Sequence, residues 1–285
     1  MNLEQFLGWL ENQPFFISSQ EKPLIMGVLN ITPDSFFDGG QFTVVDKAIN
    51  QALTMIAEGA DLIDIGGESA KPGAIAISAA EELSRVIPVI EELRRHSDIC
   101  ISIDTYKPEV MVAAVKAGAN VINDIYALQQ PGALAAAAQL NVPVCLMHMQ
   151  GTPQHMQQNP HYPQGVVEAI MSFFAERIAA CEQAGIKRQQ LILDPGFGFG
   201  KLVQDNLILT QQSEIFKEFS LPLLLGVSRK STIGAVLGIE ANERLIGSIA
   251  LTVYAALKGV AIFRTHDVGA TNQALLMIDA VRKAG

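Results

Sequence analysis

From residue 24 onward, short runs of β-branched and apolar residues alternate with longer stretches whose apolar positions recur every three or four residues. The short runs predict strands at 24–31, 62–66, 99–104, 121–125, 143–148, 191–194, 222–228 and 261–266. The longer stretches predict helices, among them 44–60, 77–97 and 165–185. In the last of these, Val166, Ile170, Phe173, Phe174 and Ile178 fall at helical spacing. Gly59, Gly118, Gly185 and Gly259 stand where such helices should stop, because glycine tolerates the left-handed conformation that ends them. The strand runs lack polar alternation, as parallel strands covered on both faces do. Eight strand–helix units within about 260 residues is the arithmetic of a (β/α)8 TIM barrel. A doubly wound open sheet would use fewer strands and carry a glycine fingerprint after the first, and the chain has none there. The expected architecture is therefore α/β: one barrel over 24–285, with residues 1–23 as a short N-terminal extension that caps the barrel bottom.

Composition narrows the function classes. With 49% hydrophobic residues in 285, the chain can bury a large core and is not disordered. A net charge of −9 argues against a nucleic-acid partner or an anionic membrane, either of which needs a broad basic face. Cys100, Cys145 and Cys181 lack metal-ligand spacing, and the first and second lie in apolar runs, so they read as buried hydrophobes in a reducing compartment. The N-terminus lacks the pattern of a signal peptide and no run is long enough to span a membrane, so the expected location is the cytoplasm.

Barrel enzymes place their chemistry at the carboxyl ends of the strands, and polar residues gather there in this chain. They are Asn30 after the first strand, Asp64 and Glu68 after the second, Asp104 after the third, and Asn123 and Asp124 on the fourth. His148, Asp194, Ser228 with Arg229 and Lys230, and Arg264 with His266 continue the series through the eighth. Any one of them could cap or pair structurally. All eight strand ends together point to one ring-shaped site.

The words GVLNITPDSFFDGG, LIDIGGESAKPGA, ISIDTYKPEV, VINDI, MHMQGTP, LDPGFGFGK, LGVSRKSTIG and RTHDV, in that order from residue 27 to 268, resemble the dihydropteroate synthase family. The resemblance implies joining of 6-hydroxymethyl-7,8-dihydropterin diphosphate to para-aminobenzoate, giving 7,8-dihydropteroate and pyrophosphate. It places Asp104, Asn123, Asp194, Lys230 and Arg264 on the pterin, lined by Met147, Phe197 and Gly226. A carboxylate such as Asp194 suits the paired N–H donors of an aminopyrimidinone, and a planar guanidinium such as Arg264 can stack on the ring while donating hydrogen bonds. Lys230, Arg264 and Asp104 are the implied catalytic residues. Asn30, Arg264 and His266 would face the diphosphate, with Asn30 as the protein ligand of a bridging Mg2+. Ser228, Ala70, Lys71, Pro72 and Phe197 would line the para-aminobenzoate site. The family also implies early C–O cleavage to a pterin-methyl cation, and a homodimer formed through late helices such as 243–258, a helix read as apolar around most of its circumference and buried beyond one face.

One loop departs from the family pattern. GGESTRPG is expected after the second strand, and GGESAKPG stands there, with Ala70 and Lys71 in place of Thr and Arg. Ala70 removes a hydroxyl, and Lys71 keeps the charge but loses the bidentate fork. The loops 31–40 and 67–76 are the expected lids. The alternatives are a methyltetrahydrofolate:corrinoid methyltransferase, which has no need of a diphosphate site, and a catalytically silent pterin-binding barrel. The PGFGFGK run lacks the G-x-x-x-x-G-K-[ST] pattern of a nucleotide loop, and His148, His155 and His161 lack zinc spacing.

Overall fold

The computed structural model describes residues 1–12, 22–32 and 41–284. Its strands are β1 (Leu24–Asn30), β2 (Leu62–Gly66), β3 (Cys100–Asp104), β4 (Val121–Asp124), β5 (Val144–Met147), β6 (Leu191–Asp194), β7 (Leu224–Leu225) and β8 (Ile262–Thr265). All pair in parallel in the order β6-β5-β4-β3-β2-β1-β8-β7, and a parallel bridge between Leu193 and Leu223 joins the two ends of the sheet. Helix α1 (Leu3–Glu11) precedes the barrel. Between and after the strands come α2 (Gln41–Ala57), α3 (Ala79–His96), α4 (Pro108–Ala117), α5 (Ala133–Leu140), α6 (Val166–Gln183), α7 (Val203–Gln211), α8 (Ser231–Leu237), α9 (Leu245–Leu257) and α10 (Val268–Arg282). This is the (β/α)8 barrel expected from the pattern. The segment 33–40, most of the first expected lid, lies outside the described residues.

Local chemistry explains the boundaries. Ser78 caps α3 by accepting from the Glu81 N–H, and Arg94, Arg95 and His96 fill its last turn, where cations offset the helix dipole. Pro108 opens α4, where its missing N–H costs nothing. Gly118, at φ 121°, ends that helix in a conformation closed to other residues. Strand β7 is much shorter than the expected 222–228. Pro222 has no N–H to pair, and at the far end the chain turns from Val227 to Lys230 with Arg229 at φ 56°.

Within each strand, alternate residues point to opposite faces, and the buried side chains divide into two clusters accordingly. Ile25, Leu29, Ile63, Ile65, Ile101, Ile103, Ile122, Leu146, Leu193 and Phe263 pack outward against the helices. Leu24, Met26, Leu62, Cys100, Val121, Cys145, Ile192, Leu224 and Ile262 face one another and fill the lower barrel. One step of two further along, β1 keeps an apolar Val28, and on the other seven strands the inward positions become Asp64, Ser102, Asn123, Met147, Asp194, Gly226 and Arg264. The interior is apolar at the bottom and polar at the top.

Helix α1 packs Phe6 and Leu10 against the apolar lower layer. Asn2 and Gln5 form a capping box at its start, and the chain end is tied down by Met1 N to the Asp61 carbonyl at 3.1 Å and Cys100 N to the Met1 carbonyl at 2.8 Å. The plug is thus part of the core. Helix α9 differs from expectation. It turns Ser248, Thr252, Ala255 and Ala256 inward, while Ile246 is 82% exposed and Leu257 60%. Its apolar residues outnumber the inward positions available, so some face outward. Replacing Phe6 with alanine should cost about 3–5 kcal/mol, the usual loss for a buried phenylalanine, read as a lower urea midpoint at unchanged slope.

Candidate active site

Three carboxylates and three cations meet in the polar half of the barrel: Asp64, Asp104 and Asp194 against Lys201, Lys230 and Arg264. Asp64 is fully buried in the middle of β2. Its Oδ2 accepts from Arg264 Nε at 2.6 Å and from Asn123 Nδ2 at 3.1 Å, while Oδ1 has no partner among the described residues. Arg264 Nη2 donates to Asp104 Oδ2, also at 2.6 Å. Burial pushes Asp104 up to about 7 although Arg264 opposes it, and the charge of Asp64 adds to the rise. Burial alone would lower the Arg264 guanidinium, but Asp64 and Asp104 outweigh it, so Arg264 is held more firmly protonated than an ordinary arginine.

The second cluster lies at the end of β6. Asp194 Oδ1 accepts from the Gly196 N–H at 2.7 Å. Burial raises this carboxyl, with Lys230 the largest opposing influence. Lys230 donates to the Phe197 carbonyl and lies 4.6 Å from the Phe199 ring centre. Burial drives Lys230 down to about 8 against the pull of Asp194. Gly226 leaves open the space between Arg264 and Lys230, since a Cβ there would lie 3.7 Å from Arg264 Cβ and 3.8 Å from Lys230 Nζ. Gly196 (φ 68°) presses against the end of β5, where a Cβ would stand 1.9 Å from the His148 carbonyl oxygen. Met147, in register with Asp194, lies on the same wall.

The corner between β7 and β8 is built differently. Ser228 Oγ lies 3.1 Å from His266 Nδ1 and accepts from the His266 backbone N–H at 3.2 Å. Loss of water around the ring, then the charges of Arg264 and Arg229, hold His266 down to about 4. Lys71, on the β2–α3 loop, reinforces this from across the barrel mouth. That loop is anchored at its base by Glu68, whose carboxylate takes the Ile77 N–H at 3.0 Å, the Tyr106 hydroxyl at 2.9 Å and Lys107 Nζ at 2.5 Å. Its outer part reaches the β5–α6 segment through Gly73 N to the Pro153 carbonyl at 3.0 Å. Ala70 is half-buried, and Lys71 and Pro72 are exposed. Asn30 ends β1 with its Oδ1 3.6 Å from where a Gly66 Cβ would stand, a position that same Cβ would share with Asp104.

The residues singled out by sequence therefore fall at one end of the barrel. Asp104, Asn123 and Arg264 are joined through Asp64, and Lys230 is joined to Phe197 beside the charge of Asp194. Ser228 with His266, Asn30, and Ala70 to Pro72 sit around the rim. Two residues of these clusters were given no binding role from the sequence, Asp64 being noted only among the strand-end polar groups. Asp64 bridges Arg264 and Asn123, and its signal was a lone charge inside an apolar strand, LIDIG. Lys201, 3% exposed, ends the LDPGFGFGK word, from which the sequence drew Asp194 and Phe197 but no role for the lysine. His148, read as a mouth residue, is buried at 7% exposure between the Tyr162 and Phe173 rings.

Burial, followed by the nearby charge of Lys201, lowers His148 from 6.5 to about 2, so it is neutral when folded. In the unfolded chain the same ring takes up a proton near its ordinary value. Between those limits the unfolded state binds more protons, and stability falls as pH is lowered through 6.5. The loss is about 1.4 kcal/mol per pH unit. Urea unfolding at pH 6.5 and 5.0 should show a steeper loss for the wild type than for His148→Gln, by about 2 kcal/mol. Equal slopes would mean that His148 is not held neutral.

Residues 26–266 match the family of pterin binding enzymes. The dihydropteroate synthase of Escherichia coli is 50% identical over 262 residues, covering 92% of this chain and 93% of that one. The dihydropteroate synthase of Haemophilus influenzae is also 50% identical, over 92% of this chain and 95% of its own. Among solved structures, Yersinia pestis dihydropteroate synthase with a sulfonamide drug superposes with a TM-score of 0.88 at 48% identity, covering 92% of this chain and 95% of that one. The Xanthomonas albilineans enzyme with 4-aminobenzoic acid gives a TM-score of 0.88 at 49% identity, over 93% and 95%. A buried charge cluster at the carboxyl end of a parallel barrel and half-identity across nearly the whole chain lead to one assignment: this chain belongs to the pterin-binding enzymes, in the dihydropteroate synthase family.

Proposed function

We propose that the linked charge cluster holds the dihydropterin and that the rim holds the diphosphate and para-aminobenzoate. The observation that carries this reading is the convergence of Asp194, Asn123, Asp104, Lys230 and Arg264 on the polar end of the barrel interior, with Arg264 and Lys230 flanking Gly226. The Asp194 carboxylate accepts the exocyclic amino and ring N–H of the pterin together. Asn123 and Asp104 read the remaining donors and acceptors. Met147 and Phe197 line the ring. Lys230 turns from the Phe197 carbonyl to the pterin's carbonyl side, and Arg264 lays its guanidinium over the ring. Both cations are satisfied by protein acceptors before substrate arrives, so binding exchanges partners and leaves no charge bare.

In the reaction, the C–O bond between the pterin methylene and the diphosphate breaks, and the electron pair leaves on the diphosphate. The para-aminobenzoate nitrogen forms the new C–N bond and sheds a proton to water. Arg264 and His266 face the departing diphosphate. Ser228, Phe197 and the loop at Ala70, Lys71 and Pro72 bind para-aminobenzoate, with Ser228 near its carboxylate and the loop over its ring. Among the described residues no cluster of three histidine, cysteine or carboxylate side chains could cage a metal. Asn30 offers one neutral oxygen at the mouth, and that fits Mg2+, which takes most of its ligands from phosphate and water. When bound there, the ion would neutralise charge on the leaving diphosphate.

The same reading takes 24–285 as the pterin-binding barrel, 1–23 as its extension, and the cytoplasm as its location. The free, buried Cys100, Cys145 and Cys181 suit a reducing compartment, and no described helix is long and apolar enough to cross a membrane. It also takes the active form as a homodimer through α9 and α10, where Ile246, Leu257, Leu276, Met277 and Val281 expose apolar surface. Equilibrium sedimentation at micromolar concentration should find twice the chain mass.

A pyrophosphate-release assay tests the reaction. Release should require the pterin diphosphate, para-aminobenzoate and Mg2+, stop on chelation and return when the metal is restored. Asp194→Asn and Lys230→Ala should each lower kcat/KM by at least about a hundredfold, in proteins that melt like the wild type. Pterin binding without pyrophosphate release would instead identify a silent barrel. The Ala70→Thr/Lys71→Arg double variant should change sulfonamide inhibition by several-fold with the pterin KM unchanged. Identical inhibition would separate this loop from the second-substrate site.

A further inference from the structure

The β6–α7 segment that carries the pterin wall is held by four side chains: Lys230 from the start of α8, Gln157 and Tyr162 from the β5–α6 loop, and Lys201 from the end of the segment itself. Of these only Lys201 is a buried charge outside the proposed binding residues. The carbonyl of Phe197 is taken by Lys230, that of Gly198 by Gln157 at 2.7 Å, that of Phe199 by Lys201 at 2.9 Å, and that of Gly200 by Tyr162 at 2.7 Å. Lys201 also reaches back across the segment to β5, placing Nζ 3.0 Å from His148 Nδ1 and 3.3 Å from the His148 carbonyl. Three acceptors surround an ammonium with three protons. The segment cannot stand off from β5, because Gly196 is already in backbone contact with the same His148 carbonyl.

We propose that Lys201 is a positioning residue of the pterin pocket: its ammonium staples the Gly196–Gly200 segment to the end of β5 and holds Asp194 and Phe197 in place when Lys230 leaves to meet the substrate. Before binding, Lys230 and Lys201 both brace the segment. After binding, the Phe197 carbonyl loses its partner, and the Lys201 staple carries that wall. Burial lowers the Lys201 ammonium to about 7 against the pull of Asp194. In its protonated form it adds a second positive charge near Asp194, after that of Lys230, and favours the ionised carboxylate that accepts the pterin's N–H pair. A donated bond to His148 Nδ1 leaves that ring as the Nε2–H tautomer.

This inference rests on the reading of Asp194 as the pterin carboxylate, and the test separates the two. Lys201→Met should raise the KM for the pterin diphosphate about tenfold or more, leave the para-aminobenzoate KM within about twofold, and weaken 6-hydroxymethylpterin binding in calorimetry to match. Asp194→Asn is measured in parallel. If Asp194→Asn binds 6-hydroxymethylpterin like the wild type, the pocket assignment falls and the inference with it. If Asp194→Asn loses binding while folded Lys201→Met keeps wild-type pterin parameters, Lys201 has no positioning role. A second readout needs no variant and covers the case of a Lys201→Met protein that does not fold. In 15N spectra of histidine-labelled wild type at pH 6, below the value of about 7 to which burial lowers Lys201, His148 should appear as the neutral Nε2–H tautomer. An Nδ1–H tautomer would mean that the staple is not made.

Discussion

A carboxylate in the middle of a closed barrel has no water to turn to, and the upper half of this molecule is organised around that constraint. Asp64 sits on the inward face of β2 with no exposed surface. An isolated charge there would cost several kcal/mol, so Arg264 must reach across from β8 to meet it. Arg264 in turn draws in Asp104, and Asn123 completes the contact from β4. Four strands are tied by one guanidinium and its partners. The cluster around Asp194, Lys230 and Lys201 repeats the arrangement on the opposite wall. Three carboxylates face three basic side chains in the interior of a chain whose overall charge is −9.

The arrangement bears directly on binding. A polar substrate entering such a space does not have to create charge complementarity, because the protein has already desolvated its groups and paired them with one another. In the proposed function, the substrate would replace protein acceptors as the partners of Lys230 and Arg264, and the carboxylates would turn from protein donors to substrate donors. This explains how an acidic protein can receive an anionic diphosphate. The cations are few, interior and pre-oriented, and the acidic outer surface is too far away to oppose them strongly.

Much of this was legible in the chain itself. Eight apolar runs separated by helical patterns specify a barrel, and the polar residues after those runs mark the end that carries the chemistry. Asp104, Asn123, Asp194, Ser228, Lys230 and Arg264 all stand where a strand gives way to a loop. Less visible was the alternation within the strands. The sequences look apolar throughout because the outward positions and the lower inward positions are both hydrophobic, and only the last inward step is polar. Asp64 was noticed as one of several strand-end groups, although it belongs to the middle of the interior. Lys201 was hidden by the glycines before it, because its acceptors are His148, far away in the sequence at the end of neighbouring β5, and the backbone of its own loop. Helix α9 illustrates the reverse case. Its apolar composition reads as full burial, but the barrel covers only one side of it.

By itself, the sequence determined the periodicities, the number of strand–helix units, the turns that glycine and proline impose, and the order in which polar groups meet the barrel mouth. All of these depend on residues close together in the chain. Only the tertiary structure decided which charges pair. Arg264 and Asp64 are 200 residues apart, and Lys201 and His148 are 53 apart. Which carboxylate a cation satisfies depends on the inward parity of each strand and on how far neighbouring strands are staggered. Those quantities exist only once the sheet has closed and water has been driven from its interior.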